Sequence, residues 1–239
     1  MEKWMMIVNP VSASATTGDI WNKSVKQLKE AGIEVDVVTT THALHAVSLA
    51  KEAADKGFRK FIAAGGDGTI HEVMTGLLRY SDATGTNLGD FTLAVLPYGT
   101  GNDWIRTPGI PEDIRQAVKC IIAGKTAKED IVRMTFDNGV YCLANIGGVG
   151  LDAAICYHTN NLKNRGYKGS LLYSLVAPYS IFTRVRRPVE IECDGEVVYK
   201  GKMFTVVFGN GLYRGGGLHQ TLDGGKLDDG LVKYPSRAQ

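Results

Sequence analysis

Three loops in this chain carry residues suited to holding phosphate. The first is Gly65-Gly66-Asp67-Gly68-Thr69. Its glycines let main-chain N–H groups approach an anion closely, and a helix starting directly after it turns a positive N-terminus to the same point. Thr69 either caps that helix or bonds a phosphate oxygen. Asp67 needs a separate reason, because a carboxylate repels phosphate. A Mg²⁺ lying between the two, held directly or through water, supplies one; the competing reading is a tight turn with an Asp cap. The second loop, Pro97-Tyr98-Gly99-Thr100-Gly101-Asn102-Asp103, repeats the pattern, and Arg106 beyond it is placed to pair with Asp103 or with a phosphate. One glycine turn is easily explained as only a turn. Two in matching positions at one sheet edge argue for a nucleotide cleft. The third, Asn9-Pro10-Val11-Ser12, offers Asn9 and Ser12 as bonding groups, although the same composition also makes a plain strand-to-helix turn. The sequence does not read as a P-loop.

These loops need a sheet to align them. Apolar runs at 5–8, 35–38, 61–64 and 93–96 read as strands buried on both faces. Helix-like stretches at 20–31, 43–56 and 70–80 lie between them, and another at 112–123 follows. Strands alternating with helices predict a parallel sheet covered on both sides, an α/β Rossmann-like N-terminal domain. Gly32 and Gly57 stand where left-handed C-caps are expected. After residue 130 candidate strands come closer together, at 140–146, 189–193, 196–200, 203–208 and 231–234, with Asp194-Gly195 as a hairpin signal. One helix-like stretch, 171–181, interrupts them. This half reads as mostly antiparallel β, which puts a domain boundary near residue 130: a nucleotide-binding domain at 1–130 and an acceptor domain at 131–239.

The net charge of +2 gives no reason to expect a nucleic-acid partner. No apolar stretch approaches the roughly 20 residues of a membrane-spanning helix. The N-terminus runs straight into a strand without the apolar core of a signal peptide, so the expected compartment is the cytoplasm. Cys120, Cys142, Cys156 and Cys193 are widely spaced and read as reduced, structural thiols.

Taken together, the motifs resemble those of the diacylglycerol kinase catalytic-domain family, bacterial soluble lipid kinases related to sphingosine and ceramide kinases. The resemblance rests on Asn9-Pro10-x-Ser12, Gly65-Gly66-Asp67-Gly68-Thr69-x-x-Glu72 and Pro97-x-Gly99-Thr100-Gly101-Asn102-Asp103. It continues through Asp130, Gly148-x-Gly150-x-Asp152, Gly209-Asn210-Gly211, Gly215-Gly216-Gly217 and Asp228-Asp229-Gly230. NAD kinases and phosphofructokinase-like folds share the first glycine loop; the second separates this chain from NAD kinase. The resemblance implies ATP as phosphoryl donor, Mg²⁺, a lipid hydroxyl as acceptor and a nucleotide cleft between the α/β domain and a β-sandwich. It implies nucleotide contacts at Asn9, Pro10, Ser12, Thr40, Gly65, Gly66, Gly68, Thr69, Glu72, Gly99, Thr100, Gly101 and Asn102. Asp67 would act with Mg²⁺ at the transferred phosphate. Asp103, Arg106 and Asp130 would form a charged network, and Asp228 and Asp229 would lie near a structural Mg²⁺, with a plain β-turn as the competing reading for these two. A homodimer is compatible with the family.

Four features depart from the pattern. Ala13 and Ser14 stand where a glycine and a basic residue are usual, which removes a charged phosphate contact of about 1–3 kcal/mol. His71 replaces a common Asn; no second ligand is suitably spaced for a metal. Leu222-Asp223-Gly224-Gly225 lacks the usual Pro and Ala. The late Asp-Gly-Glu segment expected to bear the general base is missing, and Glu196 in Asp194-Gly195-Glu196 matches an earlier hairpin. A truncated nucleotide-binding protein without turnover is therefore one alternative, and an NAD kinase-like enzyme another. Lys163, Arg165, Lys168, Arg184, Arg186 and Arg187 suit the anionic inner membrane face at about 1 kcal/mol each, or else are solvated surface charge.

Overall fold

The four apolar runs form one parallel sheet in the order β2-β1-β3-β4: β1 Trp4–Val8, β2 Val35–Thr39, β3 Lys60–Gly65 and β4 Thr92–Pro97. The computed structural model describes residues 3–12, 19–164, 176, 186–219 and 226–233. Ala13, Ser14, Arg165, Lys168, Arg184 and 222–225 lie outside these residues, as does the helix expected at 171–181 apart from position 176. Two compact units are present: Met1–Asn145 with Asn210–Leu231, and Ile146–Gly209 with Val232–Gln239.

The alternation of side chains along a strand divides the first unit's core into two layers. Met5, Ile7, Phe61, Ala63 and Val95 face one layer, with residues of helices α2 (His45–Asp55) and α3 (Asp67–Thr84). Met6, Val8, Ile62, Ala64 and Leu96 face the other, with residues of α1 (Asp19–Glu30) and α4 (Ile114–Ala123). Both faces of β1 and β3 are thus covered, which is why their sequences are continuous apolar runs. Gly32 and Gly57 adopt positive φ as expected. Gly124 does the same as the C-cap of α4, so Gly124-Lys125-Thr126 closes a helix and is not a phosphate loop.

Beyond the sheet the pairing is antiparallel. In the first unit β5 (Val132–Phe136) pairs with β6 (Gly139–Leu143). In the second, β7 (Ile146–Gly150) pairs with β10 (Thr205–Gly209), and β8 (Arg187–Cys193) with β9 (Glu196–Met203). Asp194 and Gly195 have φ of 52° and 84°, the geometry their hairpin needs. A short ladder, β11 (Tyr213–Arg214) with β12 (Leu218–His219), belongs to the first unit.

Three expectations change, the first at 231–234, where the described residues make only an isolated bridge from Lys233 to Gly209. The single strand expected at 140–146 is two strands, broken at Asn145, whose carbonyl accepts the N–H groups of Asn210 (2.9 Å) and Gly211 (3.2 Å). Those bonds occupy the position where the ladder would have continued. Residues Leu151–Asn164 form a helix, α5, that no pattern in the sequence announced, because Gly147-Gly148-Val149-Gly150 before it reads as a loop.

Candidate active site

Strand order 2-1-3-4 creates a switch point. The chain leaves β1 toward β2 on one side, while β3 flanks β1 on the other, so the loops after β1 and β3 diverge and open a crevice at the carboxyl edge. Asn9 stands there. Its N–H extends the ladder to the Ala64 carbonyl (2.9 Å), its Nδ2 donates to the Thr69 hydroxyl (3.3 Å), and its Oδ1 accepts the Val11 N–H (3.1 Å). Ser12 closes the same turn by donating its N–H to the Asn9 carbonyl (3.2 Å), and Pro10 is exposed between them. Thr40, buried at the end of β2, donates its N–H to the Val8 carbonyl (2.8 Å).

Gly66 is the N-cap of α3 and supplies no side chain to it, so main-chain N–H groups of the first turn stay available to an anion. The two glycine loops meet back to back. Gly99 donates its N–H to the Gly65 carbonyl (3.2 Å), and a Cβ on Gly66 would stand 3.0 Å from the Gly99 Cα. Asn102, at φ 48°, donates Nδ2 to the Gly99 (3.0 Å) and Pro97 (3.4 Å) carbonyls. Beneath, the Tyr98 hydroxyl shares a buried 2.9 Å bond with Ser24.

Asp67 joins the loops chemically. Its Oδ2 accepts the Asp103 N–H (3.1 Å) and its Oδ1 the Trp104 N–H (2.9 Å). Asp103 repeats the device one step further, accepting the N–H groups of Gly216 (2.9 Å) and Gly217 (2.6 Å). Arg106 lies 3.9 Å from Asp103 and 2.5 Å from Glu112, its nearer partner. Asp130 is held elsewhere: its N–H donates to Leu227 (2.7 Å) and its Oδ2 accepts the Gly230 N–H (2.6 Å). That contact fixes the turn carrying exposed Asp228 and half-buried Asp229, and Asp229 accepts the Leu231 N–H (3.1 Å). Glu72 is turned away to cap α2, accepting from Leu44 (3.1 Å) and Ala46 (3.2 Å). The site residues therefore divide. Asn9, Gly65, Gly66, Asp67, Thr69, Gly99, Asn102, Asp103 and Arg106 form one connected cluster. Asp130, Asp228 and Asp229 form a second, and Glu72 supports the neighbouring helix.

Buried Asn210 bridges the second cluster, its Nδ2 donating to the Asp130 (3.1 Å) and Leu227 (2.8 Å) carbonyls. Asn210→Ala takes the side-chain donor from the Asp130 carbonyl, while the Leu227 carbonyl keeps the Asp130 N–H, and we expect a loss of about 1–3 kcal/mol, read as a lower urea midpoint at unchanged slope.

Two participants escape sequence reasoning. Trp104, buried, donates its indole N–H to Glu129 at 2.9 Å. Burial, with the charge of Asp130, pushes the Glu129 carboxyl up to about 7 against the stabilising Trp104 bond. No motif marks Glu129; its environment is made by residues distant in sequence. The sign for stability follows from linkage. The unfolded carboxyl ionises near its ordinary value and the folded one near 7, so stability is greatest below the ordinary value and falls as pH rises through 7. Wild type should lose roughly 2–3 kcal/mol between pH 4.5 and 8 that Glu129→Gln retains, measured by urea unfolding of both proteins across that range. His71 is a packing residue: burial lowers its pKa, it hydrogen-bonds the Cys142 backbone, and its ring stacks on Tyr141 at 6.4 Å. Burial pushes the Cys142 thiol up to about 12, which makes it inert.

A parallel α/β sheet with two interlocked glycine loops and a helix N-terminus without a side-chain cap at its carboxyl edge is an arrangement chemically suited to phosphate groups. The chain belongs to the diacylglycerol kinase catalytic domain family, whose sequence model matches residues 3–134. It is similar to the Diacylglycerol kinase of Bacillus subtilis (strain 168), with 34% identity over 234 residues, covering 97% of this chain and 72% of that one. It is similar also to the protein named Probable lipid kinase YegS-like of Enterobacter sp. (strain 638), 29% identical over 230 residues, covering 96% and 72%. A crystal structure of a diacylglycerol kinase from Bacillus anthracis str. Sterne superimposes with a TM-score of 0.69 at 28% identity, over 98% of this chain and 72% of that one.

Proposed function

We propose that this protein is a lipid kinase that transfers the γ-phosphoryl group of ATP to the hydroxyl of a diacylglycerol-like lipid. The observation that carries the reading is the Asp67 clamp. One carboxylate at the first turn of α3 holds the second glycine loop by two N–H groups, which presents both loops to one ligand. Phosphoryl transfer is mostly positioning and charge neutralisation, so rigid loops of this kind are the main protein contribution. Nucleotide binding is assigned to the α/β portion, residues 1–130, and acceptor selection to the β-rich portion that follows.

The donor set fits a nucleotide-borne Mg²⁺. Such an ion needs one or two carboxylates besides phosphate oxygens and water, and each Asp67 oxygen keeps acceptor capacity after its single N–H bond. Among the described residues no three His, Cys, Asp or Glu side chains gather as a metal cage. When bound, the ion would neutralise charge on the transferred phosphate. Asp228 and Asp229 are the proposed residues for a second, structural ion.

Among the described residues no helix is long and apolar enough to cross a membrane. The lipid would be met at the membrane surface, where Arg186 and Arg187 favour anionic headgroups. The test supplies γ-labelled ATP and Mg²⁺ with diacylglycerol in mixed micelles, or with NAD. Labelled phosphatidate is the expected product; label on NAD alone would refute the lipid assignment.

A further inference from the structure

Glu129 has no role in the reading above, yet it touches the machinery at one remove. It precedes β5, and its Oε1 accepts the Trp104 indole N–H at 2.9 Å. The backbone N–H of the same Trp104 donates to Asp67 Oδ1 at 2.9 Å. Trp104 is thus held at both ends, its main chain by Asp67 and its side chain by Glu129. The surrounding loop has little regular structure of its own. Asn102 is left-handed, Trp104–Arg106 make a single 3₁₀ turn, and the next carboxylate, Asp103, is spent on Gly216 and Gly217. A loop of this kind keeps its shape through side-chain anchors.

We propose that Glu129 is a positioning residue of the phosphate-transfer site, acting through the Trp104 indole to fix the loop whose N–H groups hold the Asp67 carboxylate. The proposal rests on the reading of the two glycine loops as the ATP phosphate site. A carboxylate accepts an N–H more strongly than a carboxylic acid does. Ionised Glu129 therefore holds Trp104 firmly, and protonated Glu129 holds it less well. The titratable groups facing Glu129 are Asp130 beside it and the Cys142 thiol of β6, with His71 of α3 bonded to the Cys142 backbone. Burial disfavours the charged form, and the Asp130 charge adds to it against the Trp104 bond, so the change falls close to neutral pH.

The experiment follows wild type, Glu129→Gln and Trp104→Phe from pH 5.5 to 8.5. Three quantities are read: tryptophan emission, Kd for MgATP and kcat. Trp4 and Trp21 emission is removed by subtracting the Trp104→Phe spectrum. The terminal phosphate of ATP titrates in the same range, so the ratio of wild type to Glu129→Gln is the informative quantity. Trp104 emission should titrate near neutral pH in wild type and stay flat in Glu129→Gln. Wild-type kcat should exceed that of Glu129→Gln by about fivefold at pH 8, the worth of a charge-assisted bond over a neutral one, and the two should converge at pH 6. Melting curves establish that both variants are folded. Equal kcat and Kd for wild type and Glu129→Gln at every pH would overturn the proposal, leaving Glu129 as a packing group. If ATP binds none of the proteins at any pH, the ATP reading falls and the coupling with it, while the emission titration still reports whether Glu129 ionises against Trp104.

Discussion

Asp67→Asn should reduce phosphoryl transfer by about 10²- to 10⁴-fold, the equivalent of two charge-assisted hydrogen bonds at about 1.5–3 kcal/mol each. Both carboxylate oxygens are in use, one on the Asp103 N–H and one on the Trp104 N–H. An amide offers one oxygen. Its NH₂ group would oppose the remaining backbone N–H, donor against donor, so that the second loop loses one anchor and is repelled at the other. The charge that would face Mg²⁺ disappears as well. The effect should therefore appear in kcat and in the affinity for MgATP together, and in a lower melting temperature, because part of the Asp67 role is structural. Steady-state kinetics with ATP varied, alongside a thermal melt, separates these parts. Full turnover in Asp67→Asn would sink the assignment.

Gly99→Ala should weaken ATP binding by at least about tenfold and destabilise the protein by about 1–3 kcal/mol, the range for inserting a methyl into a filled space. The new Cβ would press on the Gly66 backbone and stand 2.5 Å from Asn102 Oδ1, so the loops would have to separate. Gly68→Ala makes the contrast. Nothing lies within 4 Å of a Cβ at Gly68, which sits in the first turn of α3. Alanine there should raise stability by up to about 1 kcal/mol through helix propensity. Yet the open space is where the proposed phosphate lies, so ATP affinity should fall while the melting temperature rises. Titration calorimetry and melting of the two variants test this together. Unchanged ATP affinity in Gly68→Ala would remove the phosphate from the α3 N-terminus.

The short apolar runs were legible as sheet strands because both faces of β1 and β3 are covered, and continuous burial needs continuous apolar residues. The glycine loops were legible because a tight turn before a helix is a local requirement, visible in adjacent residues. The helix Leu151–Asn164 and the break at Asn145 were not, because the deciding contacts come from Phe204, Asn210 and Gly211, far along the chain.

The site divides in the same way. Local sequence determined which residue types stand at the carboxyl edge of the sheet and what chemistry they suit. Tertiary structure alone decided how each carboxylate is used. Asp67 bonds to residues 36 and 37 positions away, Glu72 caps a helix 26 to 28 positions away, and Glu129 meets Trp104 across 25. A carboxylate is defined by the donors around it, and over such separations those donors are set by the packing of strands and helices, which no neighbouring residue encodes.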